Sequence, residues 1–189
     1  IGEKAFYGCS GLTGSLTIPN SVTVIGEGAF DSCNGLRTVT IGTGVTDIGI
    51  NAFYGCSNLT TVNFNAANCT TMGSSSSPVF EDCGTSLVTL NIGEGVTIIP
   101  NNAFKECKSF TSITSAATNP PVIYTSSFDS GLSPMTPVIV PCGTVSDYER
   151  YWYIFRNIQQ SADCGSTGID DDYANEIALF PNPVTDILN

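Results

Sequence analysis

Histidine is absent from the 189 residues of this sequence, and its absence excludes several kinds of active site. A catalytic triad with a histidine base, a cysteine nucleophile paired with histidine, and a histidine-ligated metal site all require that residue. Cysteines with the CxxC spacing of zinc sites are absent as well. We therefore expect no histidine-dependent catalysis, no metal site and no cofactor.

Positive charge is the second scarce feature. The chain has 6 lysines and arginines against 17 aspartates and glutamates, and its formal net charge is −11. Proteins that bind nucleic acid or anionic lipid present a basic surface, which this composition does not provide. The sequence also lacks a run of about 18 apolar residues, the length that a membrane-spanning helix needs. These absences predict no nucleic-acid partner and no insertion into a membrane.

What the sequence does contain is a repeated unit. Its most regular part is an Ala-Phe pair or a close variant, and the intervals between successive phenylalanines are 24, 23, 27, 24 and 24 residues. A cysteine stands three residues after each of the first five phenylalanines. The repeated positions are Phe6, Phe30, Phe53, Phe80, Phe104 and Phe128, with Cys9, Cys33, Cys56, Cys83 and Cys107. We expect the phenylalanines to be buried and stacked, one per turn.

A period of about 20 to 29 residues with fixed apolar positions is typical of leucine-rich-repeat solenoids. One such unit buries too little apolar surface to fold alone, so neighbouring turns must share backbone hydrogen bonds and a continuous core. We predict a repeat solenoid of short parallel strands joined by tight 3₁₀ or helical turns. Because residues 1–6 align with residues 25–30, in the middle of a unit, we also expect the chain to come from a longer precursor.

A polar row is expected on the outside of the strands. Side chains alternate between the two faces of a strand, so the middle residue of each predicted strand points away from the core. These residues, Thr17, Thr40, Asn63, Asn91 and Thr114, form the candidate ligand face. The alternative is that Thr and Asn only suit exposed strand positions and keep the protein soluble. The Ser-rich insertion at 65–78 is expected to be a flexible bulge, with a binding loop as the alternative.

The eight cysteines fall into two groups. Five occupy the repeat position, where a cysteine acts as a small buried apolar residue, and we expect reduced thiols stacked in the core. Cys69, Cys142 and Cys164 lie outside that pattern. Cys142 and Cys164 could form a disulfide if the protein is exported, but the sequence leaves this pairing open.

The repeat weakens after residue 118 and gives way to an aromatic segment. Tyr148, Trp152 and Phe155 are spaced by 4 and 3 residues, so one amphipathic helix could lay them over the open end of the core. We interpret the segment as a cap, because the end of a solenoid has to be covered. A sugar-binding platform is the alternative for this aromatic cluster.

These features divide the chain into three parts. Residues 1–158 are predicted to form the solenoid, including a C-terminal aromatic cap at about 119–158. Residues 159–172 are polar and acidic and are predicted to be a linker. A further apolar element begins in residues 173–189.

Two motifs resemble known families. The order Ile-Gly-x-x-Ala-Phe-x-x-Cys-x-x-Leu-x-x-Val-x-Ile resembles the BspA-like leucine-rich repeats of bacterial surface proteins over residues 1–115, and residues 140–158 look like the segment that closes such arrays. Residues 180–188 are similar to the opening of the C-terminal sorting domains of the type IX export system in Bacteroidetes. Their sequence is Phe-Pro-Asn-Pro-Val-Thr-Asp-Ile-Leu. Residues 173–189 are therefore interpreted as the start of such a domain.

The resemblance implies a non-enzymatic adhesion module at the cell surface or in secreted form. Its implied partners are host or bacterial surface proteins or glycans, and we expect a monomer. The alternative function is a structural spacer that carries another domain of the full-length protein. A hydrolase with paired carboxylates such as Glu27 and Asp47 is disfavoured, because these acids recur as ordinary turn and surface residues.

Overall fold

The structure is a computed structural model that describes residues 1–83 and 86–165. The described residues contain twelve short strands and one α-helix. In chain order they are β1 (Gly14–Ile18), β2 (Val24–Ile25), β3 (Leu36–Ile41), β4 (Asp47–Ile48), β5 (Thr61–Phe64), β6 (Thr71–Met72), β7 (Thr89–Ile92), β8 (Ile98–Ile99), β9 (Ser112–Ser115), β10 (Val122–Ile123), β11 (Val138–Val140), α1 (Val145–Tyr151) and β12 (Ile158–Gln160). A 3₁₀ turn, Ala162–Gly165, follows β12. The predicted sorting segment at 173–189 lies outside the described residues.

The strands form a parallel β-solenoid of about six turns, which confirms the fold that the repeat period predicted. One long sheet runs the length of the solenoid in the order β1, β3, β5, β7, β9, β11, β12, with parallel pairing throughout. The second side consists of two-residue strands in two smaller sheets, β2-β4-β6 and β8-β10. The hydrophobic core lies between these two sides.

Alternation of apolar and polar residues decides which face of each strand is buried. In β5, Val62 and Phe64 are fully buried, whereas Thr61 and Asn63 are half-buried on the outer face. The neighbouring strand repeats the pattern in register, because Val62 pairs with Val39, which is also fully buried. Each such side chain stabilises the fold by about 2 kcal/mol through burial, and the stacking of equivalent residues joins these contributions into one core.

The phenylalanines of successive turns stack through that core. Ring centroids lie 5.1 Å apart between Phe6 and Phe30 and 5.1 Å apart between Phe30 and Phe53, with the rings nearly parallel. The stack continues at 5.5, 5.9 and 5.6 Å through Phe80, Phe104 and Phe128. The expectation of burial is wrong for Phe6, which is 39% exposed because a neighbouring turn covers only one face of its ring.

The cysteines of the repeat pack beside this stack as free thiols, as predicted. Cys33 Sγ donates to the carbonyl oxygen of Phe6 at 3.0 Å, and Cys56 Sγ donates to that of Phe30 at 3.2 Å. These two thiols therefore tie their own turns to the preceding ones, which an alanine or valine at the same position could not do, whereas Cys107 Sγ bonds within its own turn, to Lys105 O. Burial raises the pKa of the Cys33 thiol to about 11, so this thiol is protonated at neutral pH.

Four of the six phenylalanines of the repeat, Phe6, Phe30, Phe53 and Phe104, sit in tight turns flanked on both sides by left-handed backbone positions. In the third turn these are Asn51, with φ of 56°, and Gly55, with φ of 61°. Hydrogen bonds from Tyr54 N to Asn51 O at 3.0 Å and from Cys56 N to Phe53 O at 3.3 Å close the turn with 3₁₀-type spacing. Glycine recurs in these turns because the left-handed conformation costs most other residues about 1 kcal/mol or more.

The insertion in the fourth unit is shorter than the predicted range of 65–78. Cys69 and Met72 are buried in the core, and β6, which ends at Met72, pairs with β4. Cys69 therefore occupies the position that Val45 holds one turn earlier. It is a core residue of the second side and not an exception to the repeat.

The loop at 73–78 has only three additional residues, because it has six residues between Met72 and Val79 where the preceding turn has three between Ile48 and Ala52. Its serines bond to one another, because Ser77 N donates to Ser74 Oγ at 3.0 Å and Ser74 N donates to Ser77 O at 3.1 Å. Lys105 Nζ donates to the backbone carbonyl of Ser75 and ties the loop to the fifth turn. The second side is divided at this loop, since β6 pairs with β4 and β8 pairs with β10.

We call residues 119–165, which cover the end of the core, the cap segment. Tyr148, Trp152 and Phe155 are all buried, but the prediction of one helix that carries all three is wrong. Helix α1 ends before Trp152, and the chain then turns, with a hydrogen bond from Phe155 N to Trp152 O at 2.9 Å. The helix is anchored by Tyr148, whose hydroxyl donates to Ala117 O at 2.7 Å, and Trp152 Nε1 donates to Pro121 O at 2.8 Å.

A disulfide joins Cys142 and Cys164, the pairing that the sequence left open. Of the predicted linker at 159–172, residues 159–165 are described, and they follow the solenoid through β12 and the 3₁₀ turn. The remainder of the linker lies outside the described residues, and the domain boundaries stay predictions.

Candidate functional site

The five residues of the predicted ligand face lie side by side across the long sheet. Thr17 pairs with Thr40, Thr40 with Asn63, Asn63 with Asn91, and Asn91 with Thr114. Neighbouring strands are about 4.8 Å apart, so five turns place these side chains in one row. We call this row the polar ladder. Thr17 is exposed and the other four residues are half-buried.

Hydrogen bonds along the polar ladder hold its amides in one orientation. Asn63 Nδ2 donates to Thr40 Oγ1 at 2.9 Å, and Asn91 Nδ2 donates to Asn63 Oδ1 at 2.8 Å. An amide nitrogen carries two hydrogens, so each asparagine keeps one hydrogen for an acceptor outside the ladder. The oxygen Asn91 Oδ1 accepts no hydrogen bond from the part of the chain that the structure describes. The ladder therefore presents ordered donors and an ordered acceptor to solvent.

A second row of hydroxyl side chains runs parallel to the polar ladder, and sequence reasoning missed it. It stands two residues earlier on each strand, and consecutive members pair across the sheet. Its members are Ser15, Thr38, Thr61, Thr89 and Ser112. The signal was present in the period-2 alternation, because residues two apart on a strand share a face. Considering only the middle residue of each strand left this row out.

The cap segment ends both rows. Thr114 of the polar ladder pairs with Ile139 of β11, and Ile139 pairs with Gln159 of β12. An aliphatic residue thus replaces the hydroxyl or amide at the sixth strand. The continuous row of hydroxyl and amide side chains therefore ends at the fifth strand of the long sheet, and an uncharged polar residue returns only at Gln159 on β12.

A shallow groove of about 400 Å³ lies over the centre of the polar ladder. All its lining residues are uncharged, namely Thr40, Asn63, Asn65, Asn91, Ile92, Gly93, Thr114 and Ala116. The amides and hydroxyls can hydrogen-bond a partner, but they provide neither a general acid or base near neutral pH nor an activated nucleophile. The groove therefore offers hydrogen-bond donors and acceptors to a molecule that lies in it.

The carboxylates of the hydrolase hypothesis do not contribute to this groove. Glu27 is exposed in the turn before Phe30, and Asp47 lies half-buried on β4, on the second side. The carboxylate of Asp47 accepts a hydrogen bond from Thr46 Oγ1 at 2.7 Å. Within residues 1–83 and 86–165, no three histidine, cysteine or acidic side chains are grouped as metal ligands. In the same described residues, no helix has the length and hydrophobicity of a membrane span.

Comparison with protein families decides the classification. Residues 1–132 and 73–160 match the family described as BspA type leucine rich repeat region, six copies. The chain belongs to this family. The matched BspA type region includes all six phenylalanine turns and helix α1. Repeats of this leucine-rich class are typically non-catalytic.

Comparisons with curated proteins and with solved structures add less information than the family match. No curated protein matches this BspA type chain. Among solved structures, it is similar to a leucine rich cell surface protein from Faecalibacterium prausnitzii A2-165, with 19% sequence identity and a TM-score of 0.33. The similarity covers 85% of this chain and 63% of that one, so the chain spans less than two thirds of the length of the solved protein.

Proposed function

We propose that this BspA type solenoid is a non-enzymatic recognition module that binds a surface protein or glycan through the polar ladder. The observation that supports it is the hydrogen-bonded chain from Asn91 through Asn63 to Thr40, which fixes the amides before any partner arrives. Preorganised groups lose less conformational entropy on binding than mobile side chains do. A partner of this face would be held by hydrogen bonds, since no charged side chain lines the groove.

The proposal includes a location at the cell surface or outside the cell. It is supported by the family and by the name of the solved relative, a cell surface protein. Export by the type IX system is a further part of the proposal, and it depends on the resemblance of residues 180–188, which lie outside the described residues. Adhesion to host or bacterial surfaces, by a monomer, follows from the same family resemblance.

The alternative function, a structural spacer, has one observation in its favour. Backbone hydrogen bonds join the phenylalanine-containing turns of consecutive units, as they join the strands of the long sheet. Examples are Phe30 N to Ala52 O at 2.8 Å and Ser32 N to Tyr54 O at 2.8 Å. A rod bonded on both sides is stiff enough to hold another domain at a distance. A spacer needs no ligand, so the two functions differ in whether the polar ladder binds anything.

The test is to place positive charge on the polar ladder and measure binding. Thr40→Lys and Asn91→Lys together block the groove, and the intervening strand of Asn63 keeps the two lysines from lying directly opposite each other. We expect saturable binding of the unaltered protein to immobilised matrix proteins or to an array of uncharged glycans. The double variant should lose that binding, with a thermal midpoint lowered by no more than a few degrees.

The matched control is Ser10→Lys with Ser57→Lys. Both serines are exposed in turns, at the repeat position where the fifth unit already has Lys108. The control adds the same charge two turns apart and should bind normally. Binding of the unaltered protein should also change little between low and high salt, because hydrogen bonds are screened far less than ion pairs. A complete lack of binding favours the spacer, and normal binding by the ladder variant shows that the polar ladder is not the site.

A further inference from the structure

The few positive charges of this acidic chain are unevenly placed. Of its six lysines and arginines, three surround one region at the junction of the fifth turn with the cap segment. Arg156 lines a cavity of about 470 Å³ there, and Lys105 lines a neighbouring cavity of about 240 Å³. The stem of Lys108 lies beside Gly131, since a Cβ built on that glycine would be 3.5 Å from Lys108 Cδ. We call this region the cap cleft.

The two cavities share part of their lining. Both include Thr125, Phe128, Asp129 and Ser130, so a ligand in the larger cavity borders the smaller one. The floor of the larger cavity contains the buried rings of Phe128 and Phe155, whereas Tyr153 is 66% exposed at its rim. A tyrosine ring that projects from a rigid apolar floor offers a flat surface on which a sugar ring can pack.

The negative charges of the cap cleft are already engaged. Asp129 Oδ1 accepts a hydrogen bond from Gly131 N at 2.7 Å, and Asp129 Oδ2 accepts one from Glu106 N at 3.0 Å. The carboxylate of Glu106 is paired with Lys108 Nζ at 2.8 Å. These bonds fix the loop that lines the cleft, and they leave Glu106 paired with a cation and Asp129 held by two backbone amides.

Arg156, by contrast, has no counterion among residues 1–83 and 86–165. Among the described residues its guanidinium makes no ion pair, and its side chain is exposed. Its backbone is held in place, because Arg156 N donates to the carbonyl oxygen of Pro134, another lining residue, at 2.7 Å. A guanidinium presents a planar fork of donors that matches a carboxylate in a bidentate arrangement.

We propose that the cap cleft binds a sugar that carries a carboxylate, such as a uronic acid residue of an acidic glycan. Tyr153 packs against the face of the sugar ring, Arg156 binds the carboxylate, and the hydroxyls of Thr125, Ser130 and Ser133 bond to the sugar hydroxyls. The exposed tyrosine and the hydroxyl-rich wall favour a sugar over an acidic peptide. This site is independent of the polar ladder, which faces outward from the long sheet and has no charged residue in its groove.

The test uses two ligands with the same sugar backbone, one with free carboxylates and one with these groups esterified and uncharged. Trigalacturonate and its methyl ester are titrated into the protein by calorimetry at low and at high salt. We expect the acid to bind at least about tenfold more tightly than the ester, and its affinity to fall as salt rises. Chemical shifts of the unaltered protein should move at Tyr153, Ile154 and Arg156 and not on the polar ladder.

Matched variants separate the site from general charge effects. Arg156→Gln should weaken trigalacturonate binding about tenfold or more, whereas Arg150→Gln removes the same charge from α1, where Arg150 lies over the Tyr151 ring, and should have no effect. Tyr153→Ala should weaken binding and Tyr151→Ala should not, although both tyrosines are exposed.

Four results would overturn the proposal. They are equal affinity for the acid and the ester, equal loss in the two arginine variants, tighter binding of an oligoglutamate peptide than of trigalacturonate, and no binding of the acid at millimolar concentration. The ladder variant with Thr40→Lys and Asn91→Lys should bind trigalacturonate normally, so failure of either proposal leaves the other testable.

Discussion

The cysteines of the array, residues 1–118, and those of the cap segment are in different chemical states. Six cysteines of the array are free, and five of these are buried. The two cysteines of the cap segment, Cys142 and Cys164, are joined to each other. In the array a thiol is a packing residue with a weak donor, whereas in the cap segment the sulfurs form a covalent cross-link.

The same contrast holds for the other contacts. Array contacts recur from turn to turn, as in the stacked phenylalanines and the thiol bonds to the preceding turn. Cap contacts occur once each, as in Tyr148 with Ala117 and Trp152 with Pro121. Repetition spreads the stability of the array over many equivalent interfaces, whereas the cap segment depends on a few individual side chains. The following predictions test this difference.

The largest effect is expected from Phe53→Ala. The Phe53 ring is fully buried and stacked on both faces, by Phe30 at 5.1 Å and by Phe80 at 5.5 Å. Its loss should lower the free energy of unfolding by about 3–5 kcal/mol, because two interfaces lose contacts around one cavity. Urea denaturation followed by circular dichroism measures the change.

The control for that prediction is Phe6→Ala. This ring is 39% exposed and is stacked on one face only, so its loss should cost about 1–2 kcal/mol. A loss below about 1 kcal/mol for Phe53→Ala would show that the stack does not carry the core.

The second effect concerns the disulfide of the cap segment. Cys142 and Cys164 are separated by 22 residues, and closing a loop of that length stabilises a fold by about 3 kcal/mol. Replacing both by serine should destabilise the cap segment by about that amount. Fluorescence reports this directly, because Trp152 is the only tryptophan of the chain and lies in the cap.

A reducing agent provides the control. It should destabilise the unaltered protein as the serine variant does, and it should have no further effect on that variant, since the array cysteines are free. If reduction weakens the serine variant too, the array contains a cross-link and the contrast between the two regions fails.

The smallest predicted effect is a loss of folding stability at alkaline pH, which comes from a buried thiol of the array. Burial raises the pKa of the Cys69 thiol from 9.0 to about 12. Because the pKa in the folded state lies above that in the unfolded state, the contribution to stability is complete below about pH 9 and is lost progressively as the pH rises to about 12. At pH 10 the loss from Cys69 should be about 1 kcal/mol relative to pH 8.

Cys69→Val isolates this contribution. The position is held by Val45 and Val96 in the neighbouring turns, so valine should fit there. The variant should lose less stability than the unaltered protein between pH 8 and pH 10, measured by urea denaturation at each pH. Identical pH profiles would show that the Cys69 thiol does not titrate in this way.

Much of the array could be predicted from the sequence because each position is repeated. The phenylalanine interval gave the solenoid, and the alternation around Asn63 placed the polar ladder on the outer face. The same alternation contained the second hydroxyl row with Thr61, which was missed because only one residue per strand was considered. Cys69 was missed for a different reason, since its Val-like position is recognisable only when Met72 is accepted as a substitute for isoleucine.

The cap segment was harder to predict because nothing in it repeats. Spacing alone grouped Tyr148, Trp152 and Phe155, but it could not show that the helix ends before Trp152. It also could not show that Tyr153, next to the buried Trp152, faces solvent at the rim of a cleft.

The sequence by itself determined the parallel solenoid, the stacked core and the uncharged outer row, because a periodic pattern forces equivalent residues into equivalent places. Only the tertiary structure decided the bonded order of the ladder amides, the disulfide of the cap segment and the meeting of Lys105 with Arg156 around one cleft. These features depend on where non-repeating chain segments cross in space. Local spacing carries no information on such crossings, because they arise when the chain turns back over the end of its own core.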